Sequence, residues 1–491
     1  MTGTSKISSV KKRPATASRP APAEGTTTAR RLKLDGVTLY ALVFGCFLGL
    51  CIWKFGNPVI LDEKIDTPKT LSELWDFAWP IHWANWLLLA LVAIGAVLAL
   101  QKKLFWPQSK WLWLLPLIWL GWQFVSATRT VDSVLTAATL WEFFGVVACY
   151  FLGAFLFANR PARCWLLAGI LAAFTFCLVR GVDQKLFEFP VNYQTLVDGE
   201  SSGWTNFPPE TIAVMKHENV IINTNGVDVA NPVIVKKFKL GRVAGTLVYP
   251  NALAGLILLL WPVSLVLVLG ALKQMKASVR LAALGLVIFL GGAAFFWTGS
   301  KLGWLIGIGM AGLFLLRLDW SRKLKLAAVA LILVLGLGVF AVRFHAYFAA
   351  GATSMGARFD YWRAAGQTTL ANPFFGSGPG TFQRPYAQLK SPDAEMARLT
   401  HNDYLEQFSD SGLVGGLAFM AWIILALAVV GRKIWRCGDG VDFALYAGLL
   451  AWFAQCFGEF GLYIPALAWL AFTLLGGLIG LKIIEIDKKS S

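Results

Sequence analysis

Charge is what this chain most lacks. Asp, Glu, Lys and Arg make up only 15% of its 491 residues, against about 25% in soluble domains. With 57% of residues in the AVILMFWYC set and a mean hydropathy of +0.60, too little polar surface remains to cover a water-facing globule. Histidine is scarce too, at four residues, and no two lie close enough to form a local pair of metal ligands. The seven cysteines, at 46, 51, 149, 164, 177, 437 and 456, fall in apolar runs or short basic connections. Their spacings count against a disulfide framework and a Cys-based zinc site. Acidic residues are the scarcer sign, 28 against 44 basic, for a net charge of +16. Cytoplasmic retention of Lys and Arg in a membrane protein explains that excess more simply than nucleic-acid binding does. What is abundant agrees. The 22 Trp and 35 Phe suit two membrane interfaces, and the apolar runs are too long and too little alternating for a β-barrel.

The pattern predicts an all-α polytopic membrane protein with about twelve transmembrane helices. Residues 1–34 read as a disordered basic cytoplasmic tail. N-terminal transmembrane helices fill 35–181, with apolar stretches at about 36–53, 82–101, 111–127, 136–158 and 164–181. A first long loop covers 182–245. Central spans fill 246–344, at about 246–271, 281–298, 302–316 and 325–344, and a second long loop covers 345–411. C-terminal spans at about 412–431, 441–458 and 463–482 lead to a short tail ending at 491. Placing the basic tail inside puts Lys102, Lys103, Lys110, Arg160, Arg163, Lys273, Lys276, Arg280, Arg317, Arg322, Lys323, Lys325, Arg432, Lys433 and Arg436 on inside connections. The short outside connections hold only Lys54, Lys64, Lys69, Arg129 and Lys301. That bias predicts both termini inside and both long loops outside, the second partly helical and carrying the chemistry. Away from helix ends, Glu142 is the only ionisable side chain within an apolar run. Ion-coupled carriers usually hold several at mid-membrane depth.

Four segments collect the candidate functional residues. Lys236, Lys237, Lys239 and Arg242 precede Tyr249-Pro250-Asn251 and an apolar helix. The lysines read as snorkelling anchors. Arg242 stands between Gly241 and Gly245, where a ligand could approach the backbone, and is the anion-binding candidate. Trp297-Thr298-Gly299-Ser300-Lys301-Leu302-Gly303-Trp304 forms a tight turn without P-loop spacing. There Lys301 serves either a ligand or a lipid headgroup. Residues 358 to about 370 read as one short helix, with Arg358 and Trp362 on one face. Pro373 ends it, and Gly376-Ser377-Gly378-Pro379-Gly380 reads as a flexible turn. In Leu399-Thr400-His401-Asn402-Asp403-Tyr404-Leu405-Glu406, Thr400 with Asp403 fits a capping pattern that places His401 in the first helical turn. His401 is then either a base for a substrate hydroxyl or a donor to a phosphate oxygen.

Taken together, the segments resemble the superfamily of O-antigen ligases and polymerases, the bacterial envelope polysaccharide glycosyltransferases. The resemblance is carried by Arg358-x3-Trp362, by Asn372-Pro373-x2-Gly376-x-Gly378-x-Gly380-x-Phe382, by His401-Asn402-x-Tyr404-Leu405 and by Gly412-x2-Gly415. Arg242-x2-Gly245 with Pro250-Asn251 is similar to the family's upstream motif. Order and spacing agree over about 240 to 430, whereas the first 180 residues match only as a set of spans. Lys301 departs from an Arg that such proteins often carry after the Ser, and cannot offer paired donors. The resemblance implies a multi-pass protein of the bacterial inner membrane, its active site on the periplasmic side. It also implies a donor glycan on undecaprenyl pyrophosphate, a lipid- or glycan-borne acceptor, and no cofactor or metal. His401 becomes the catalytic base. Arg242, Arg358 and Lys301 bind the pyrophosphate, supported by Asn402, Tyr404 and Trp362. Ligation, repeat-unit polymerisation and transfer to protein use the same chemistry and remain open, and a solute or glycan transporter is the competing class.

Overall fold

The computed structural model describes residues 35–101 and 109–481. The expected basic tail at 1–34, the connection at 102–108 with Lys102 and Lys103, and the last ten residues lie outside that set. Helices account for nearly all regular structure, as bilayer-length apolar runs require, because a helix satisfies its own backbone. The first group is α1 (Gly36–Lys54), the short α2 (Leu71–Asp76), α3 (Ile81–Leu100), α4 (Trp111–Ala127), α5 (Ser133–Leu156) and α6 (Arg160–Asp183). A π-helical turn over Gln184–Glu188 carries α6 into α7 (Phe189–Ser201), followed by α8 (Pro209–His217). Strands β1 (Ile221–Thr224) and β2 (Val227–Ala230) pair antiparallel before α9 (Pro232–Leu240). Asn225 and Gly226 turn that hairpin with φ of 53° and 84°, the left-handed pair that a two-residue loop needs. Among the described residues the expected all-α chain therefore carries one small hairpin.

Four helices follow: α10 (Pro250–Ala271), α11 (Ala277–Thr298), α12 (Lys301–Arg317) and α13 (Arg322–Ala349). Then come α14 (Thr353–Ala371), α15 (Gln383–Leu389), α16 (Asp403–Cys437), α17 (Gly440–Gln455) and α18 (Pro465–Ile479). Eight of the described helices are long and apolar enough to cross a membrane, and α4 and α18 are shorter apolar helices. The remaining two expected stretches coincide with α12 and α17, of 17 and 16 residues. Small residues let the helices approach closely. A Cβ at Gly45, Gly153 or Gly448 would run into the backbone of Leu166, Thr473 or Leu259, locking α1 on α6, α5 on α18 and α10 on α17. By contrast α13 buries only Phe340 and Phe344, and its exposed leucines and valines suit a lipid-facing flank.

Candidate active site

Helix α16 begins two residues later than its sequence suggests. Asn402 is the N-cap, its Oδ1 accepting from the Leu405 amide at 3.0 Å. Thr400 sits outside the helix, its amide and hydroxyl donating to Glu406 Oε2 at 2.8 and 2.9 Å. His401 is thus not in the first turn. It lies between these two anchors with a φ of 53°, in the left-handed region, which His visits more readily than most residues. Its ring meets the Phe460 ring edge-on at 4.7 Å and stacks at 6.1 Å on Tyr361. The other three histidines are exposed.

Behind the imidazole stands a residue that no sequence motif singled out. The Glu459 carboxylate is 5% exposed, and its Oε2 lies 3.5 Å from His401 Nδ1, the outer edge of hydrogen-bonding reach. Oε2 also accepts from the Tyr249 hydroxyl at 2.9 Å. Oε1 accepts from Asn251 Nδ2 and from Arg358 Nη2, each at 2.7 Å. Burial alone would raise the Glu459 carboxyl, yet His401, the Arg358 charge and Tyr249 together hold it below its usual range. Arg242 joins through Asn251, donating from Nη2 to Oδ1 at 2.8 Å, while its Nε donates to the Thr298 carbonyl at 2.7 Å. The structure therefore brings Arg242, Arg358 and His401 together around one buried anion.

Lys301 contributes charge without a hydrogen-bonded contact to these groups. Its ammonium lies 3.9 Å from the Tyr347 ring centroid and 5.4 Å from that of Phe344, a cation–π seat. Burial, then the charges of Arg242, Arg358 and Arg343, bring the Lys301 pKa down to about 8. Arg343, also missed by sequence reasoning, stacks on Phe296 and Phe344. Of the three expected supporting residues, Asn402 caps the helix behind His401. Tyr404 stacks on Phe457 and donates to the Phe453 carbonyl at 3.0 Å, tying α16 to α17. Trp362 packs on Phe359, and it is Tyr361, not Trp362, that meets the imidazole.

Two further expectations are revised. Gly245 does not hold space for a ligand: with a φ of 63° it rests on Cys177 of α6, where a Cβ would come within 2.7 Å of the carbonyl. The 376–380 turn is not a flexible loop, because it is buried and its amides are spoken for. Ser377 N and Gly378 N each donate at 2.9 Å to the carbonyls of Ser409 and Asp410, and Gly380 N donates to Asp410 Oδ2 at 2.7 Å. Carboxylates outside the expected apolar runs are buried as Glu142 is. Asp403, Glu406 and Asp410 are fully buried where α16 begins. The sequence pattern starts the apolar run at 412, where Ser411 and Gly412 kink the helix, so these acids fall in the partly helical second loop, ahead of the expected span. Asp403 accepts from the Leu462 amide at 2.9 Å. Asp410 accepts from the Tyr463 hydroxyl at 2.9 Å, and Gln407 accepts from Trp119 at 2.8 Å.

A cluster of guanidinium and ammonium groups beside a half-buried imidazole can stabilise a departing anion and accept a proton. Glu459 escaped sequence reasoning because 210 and 208 residues separate it from its partners Tyr249 and Asn251. The available signal was an acid in the short turn between the last two apolar runs. A family model described as O-antigen ligase matches residues 286–420. That segment holds Lys301, Arg358 and His401, while Arg242 and Glu459 lie outside it. No curated protein matches the chain.

Proposed function

We propose, proceeding from the placement of residues 286–420 in the O-antigen ligase superfamily, that this protein is a membrane glycosyltransferase. In this reading it moves a glycan from an undecaprenyl-pyrophosphate donor to an acceptor hydroxyl, in the inner membrane of a bacterium. The bias of Lys and Arg among the short connections supports twelve spans with both termini cytoplasmic, and in that topology the site lies at the periplasmic interface, where a lipid-anchored donor presents its diphosphate. The observation that carries the reading is the bridge through Glu459, which faces both Arg358 at 2.7 Å and His401 at 3.5 Å. One buried carboxylate thus sets the spacing between a phosphate-binding cation and a base.

In the reaction the acceptor oxygen attacks the anomeric carbon. The bond from that carbon to the diphosphate oxygen breaks, and its electron pair leaves with the diphosphate. Arg358 and Arg242 hold the departing anion with paired donors, and Lys301 adds a charge nearby. His401 takes the acceptor's proton at Nε2, since Glu459 favours the tautomer that carries hydrogen on Nδ1. The scheme runs on side chains alone. Lipid core, growing polymer and protein hydroxyls all fit as acceptors, with an O-antigen ligase-like step the leading form.

The buried acids of α16 favour a second reading, a proton-coupled carrier. Their engagement by loop amides and Tyr463 supports a structural role instead. One experiment separates the two classes: purified protein in detergent, without metal, given undecaprenyl-pyrophosphate glycans and several acceptors. Glycosylated acceptor is the expected product. Failure to form product with every donor and acceptor pair would sink the transferase, because a carrier needs a sealed membrane and makes no bond.

A further inference from the structure

Beside the imidazole lies a groove that the transfer scheme leaves unassigned. The first turns of α14 and the turn at 391–395 enclose an open cavity of about 850 Å³, within the roughly 300–1,000 Å³ of ligand clefts. Tyr361 is the wall it shares with the site: one side lines the groove, and the ring stacks on His401 at 6.1 Å. The Tyr361 hydroxyl donates to Glu395 Oε1 at 3.4 Å. Phe359, 59% exposed, adds an apolar face to the lining.

The charges of this lining oppose those around Glu459. Asp360, Asp393 and Glu395 face a single guanidinium, Arg363. Asp360 is already held by Arg363, the Tyr386 hydroxyl and Ser391. Nearby Lys390 is turned to the carbonyls of Ser391, Pro392 and Ala394. Asp393 and Glu395 are exposed, and neither forms an ion pair among the described residues. His401 thus divides a cation-rich side, with Arg242, Arg358, Arg343 and Lys301, from an acid-rich one. Carboxylates accept from sugar hydroxyls and repel phosphate, and an aromatic face suits the apolar side of a sugar ring.

We propose that this groove is the acceptor subsite and that it takes an uncharged, hydroxyl-rich glycan end in preference to a phosphate-bearing one. The inference rests on the transferase reading, and the two fail separately. The full-length protein in detergent is titrated with a neutral hexose oligomer by saturation-transfer NMR. It is also assayed with an undecaprenyl-pyrophosphate glycan and two lipid-anchored oligosaccharide acceptors that differ by one phosphate monoester. The exposed, near-isosteric pair Asp393→Asn with Glu395→Gln should weaken oligomer binding and raise the neutral acceptor's KM roughly tenfold, as loss of charge-assisted hydrogen bonds implies. Donor KM and saturating kcat should stay within about twofold. Asp393→Lys with Glu395→Lys should shift preference toward the phosphorylated acceptor. Unchanged binding and acceptor KM in the Asn and Gln pair, a change in donor KM instead, or wild-type preference for the phosphorylated acceptor overturns the proposal. Oligomer binding that the pair weakens, with no transfer by the wild type, supports the groove and removes the transferase.

Discussion

A left-handed histidine costs on the order of 1–3 kcal/mol, and at position 401 the cost is borne by anchors on both sides, Thr400 to Glu406 and Asn402 to Leu405. Such support fixes the ring between Tyr361, Phe460 and Glu459 before substrate arrives. His401→Ala should therefore lower transfer by roughly two to four orders of magnitude while leaving donor binding intact. Stopped-time transfer assays with a donor-binding measurement check both. The arginines are equally specific. Arg242 spends Nε on Thr298 and Nη2 on Asn251, and an ammonium cannot reproduce that fork. Arg242→Lys or Arg358→Lys should cut kcat/KM at least tenfold with charge retained, and full activity in both folded variants would remove the clamp. Lys301 behaves differently. Its ammonium, brought down to about 8 by burial and its cationic neighbours, loses its charge as pH rises past that value. Donor KM should climb above about pH 8 in the wild type, and Lys301→Arg, charged throughout, should flatten that rise.

At the level of elements, α16 shows how a kink divides labour. Gly412 has φ 66° and ψ −168°, a region essentially reserved for glycine. A Cβ there would also strike the carbonyls of Phe374 and Pro373. Gly412→Ala should lower stability by at least ~2 kcal/mol and shift the thermal midpoint down by several degrees. Gly121→Ala, at a helical position with nothing within 4 Å, should leave it unchanged or raise it. Equal midpoints would mean that the kink is not under constraint. The apolar half of α16 was readable because a bilayer-length run must be helical. Its polar first two turns were not. Thr400 and Asn402 are both competent caps, and local spacing does not rank them. The burial of Asp403, Glu406 and Asp410 depends on amides and hydroxyls supplied by the 376–380 turn and by Leu462 and Tyr463. Likewise Arg242, Arg358 and His401 were legible as motif residues, whereas Glu459, which joins them, has no periodic or local signature.

Across the whole molecule, the tightest helix pairs join parts of the chain remote in sequence, and α18 is buried along its entire length against α5 and its neighbours. A chain ending at Gln455 loses that helix together with Glu459, Leu462 and Tyr463. Such a truncation should fail to give a monodisperse species by size exclusion in detergent, and a well-folded truncated protein would show that α18 is dispensable. The carboxylates of α16 extend this to the birth of the protein. A charged side chain costs about 2.5–3.5 kcal/mol at the centre of an inserting helix and less toward its ends, and α16 emerges from the ribosome before Leu462 and Tyr463, just ahead of α18, exist to receive Asp403 and Asp410. Its apolar half can enter the bilayer at once, while residues 403–410 must wait at the lipid surface until the segment leading into α18 follows. The histidine-bearing corner, which needs Glu459 and Phe460 as well as α16, is then completed only after α17 has been made.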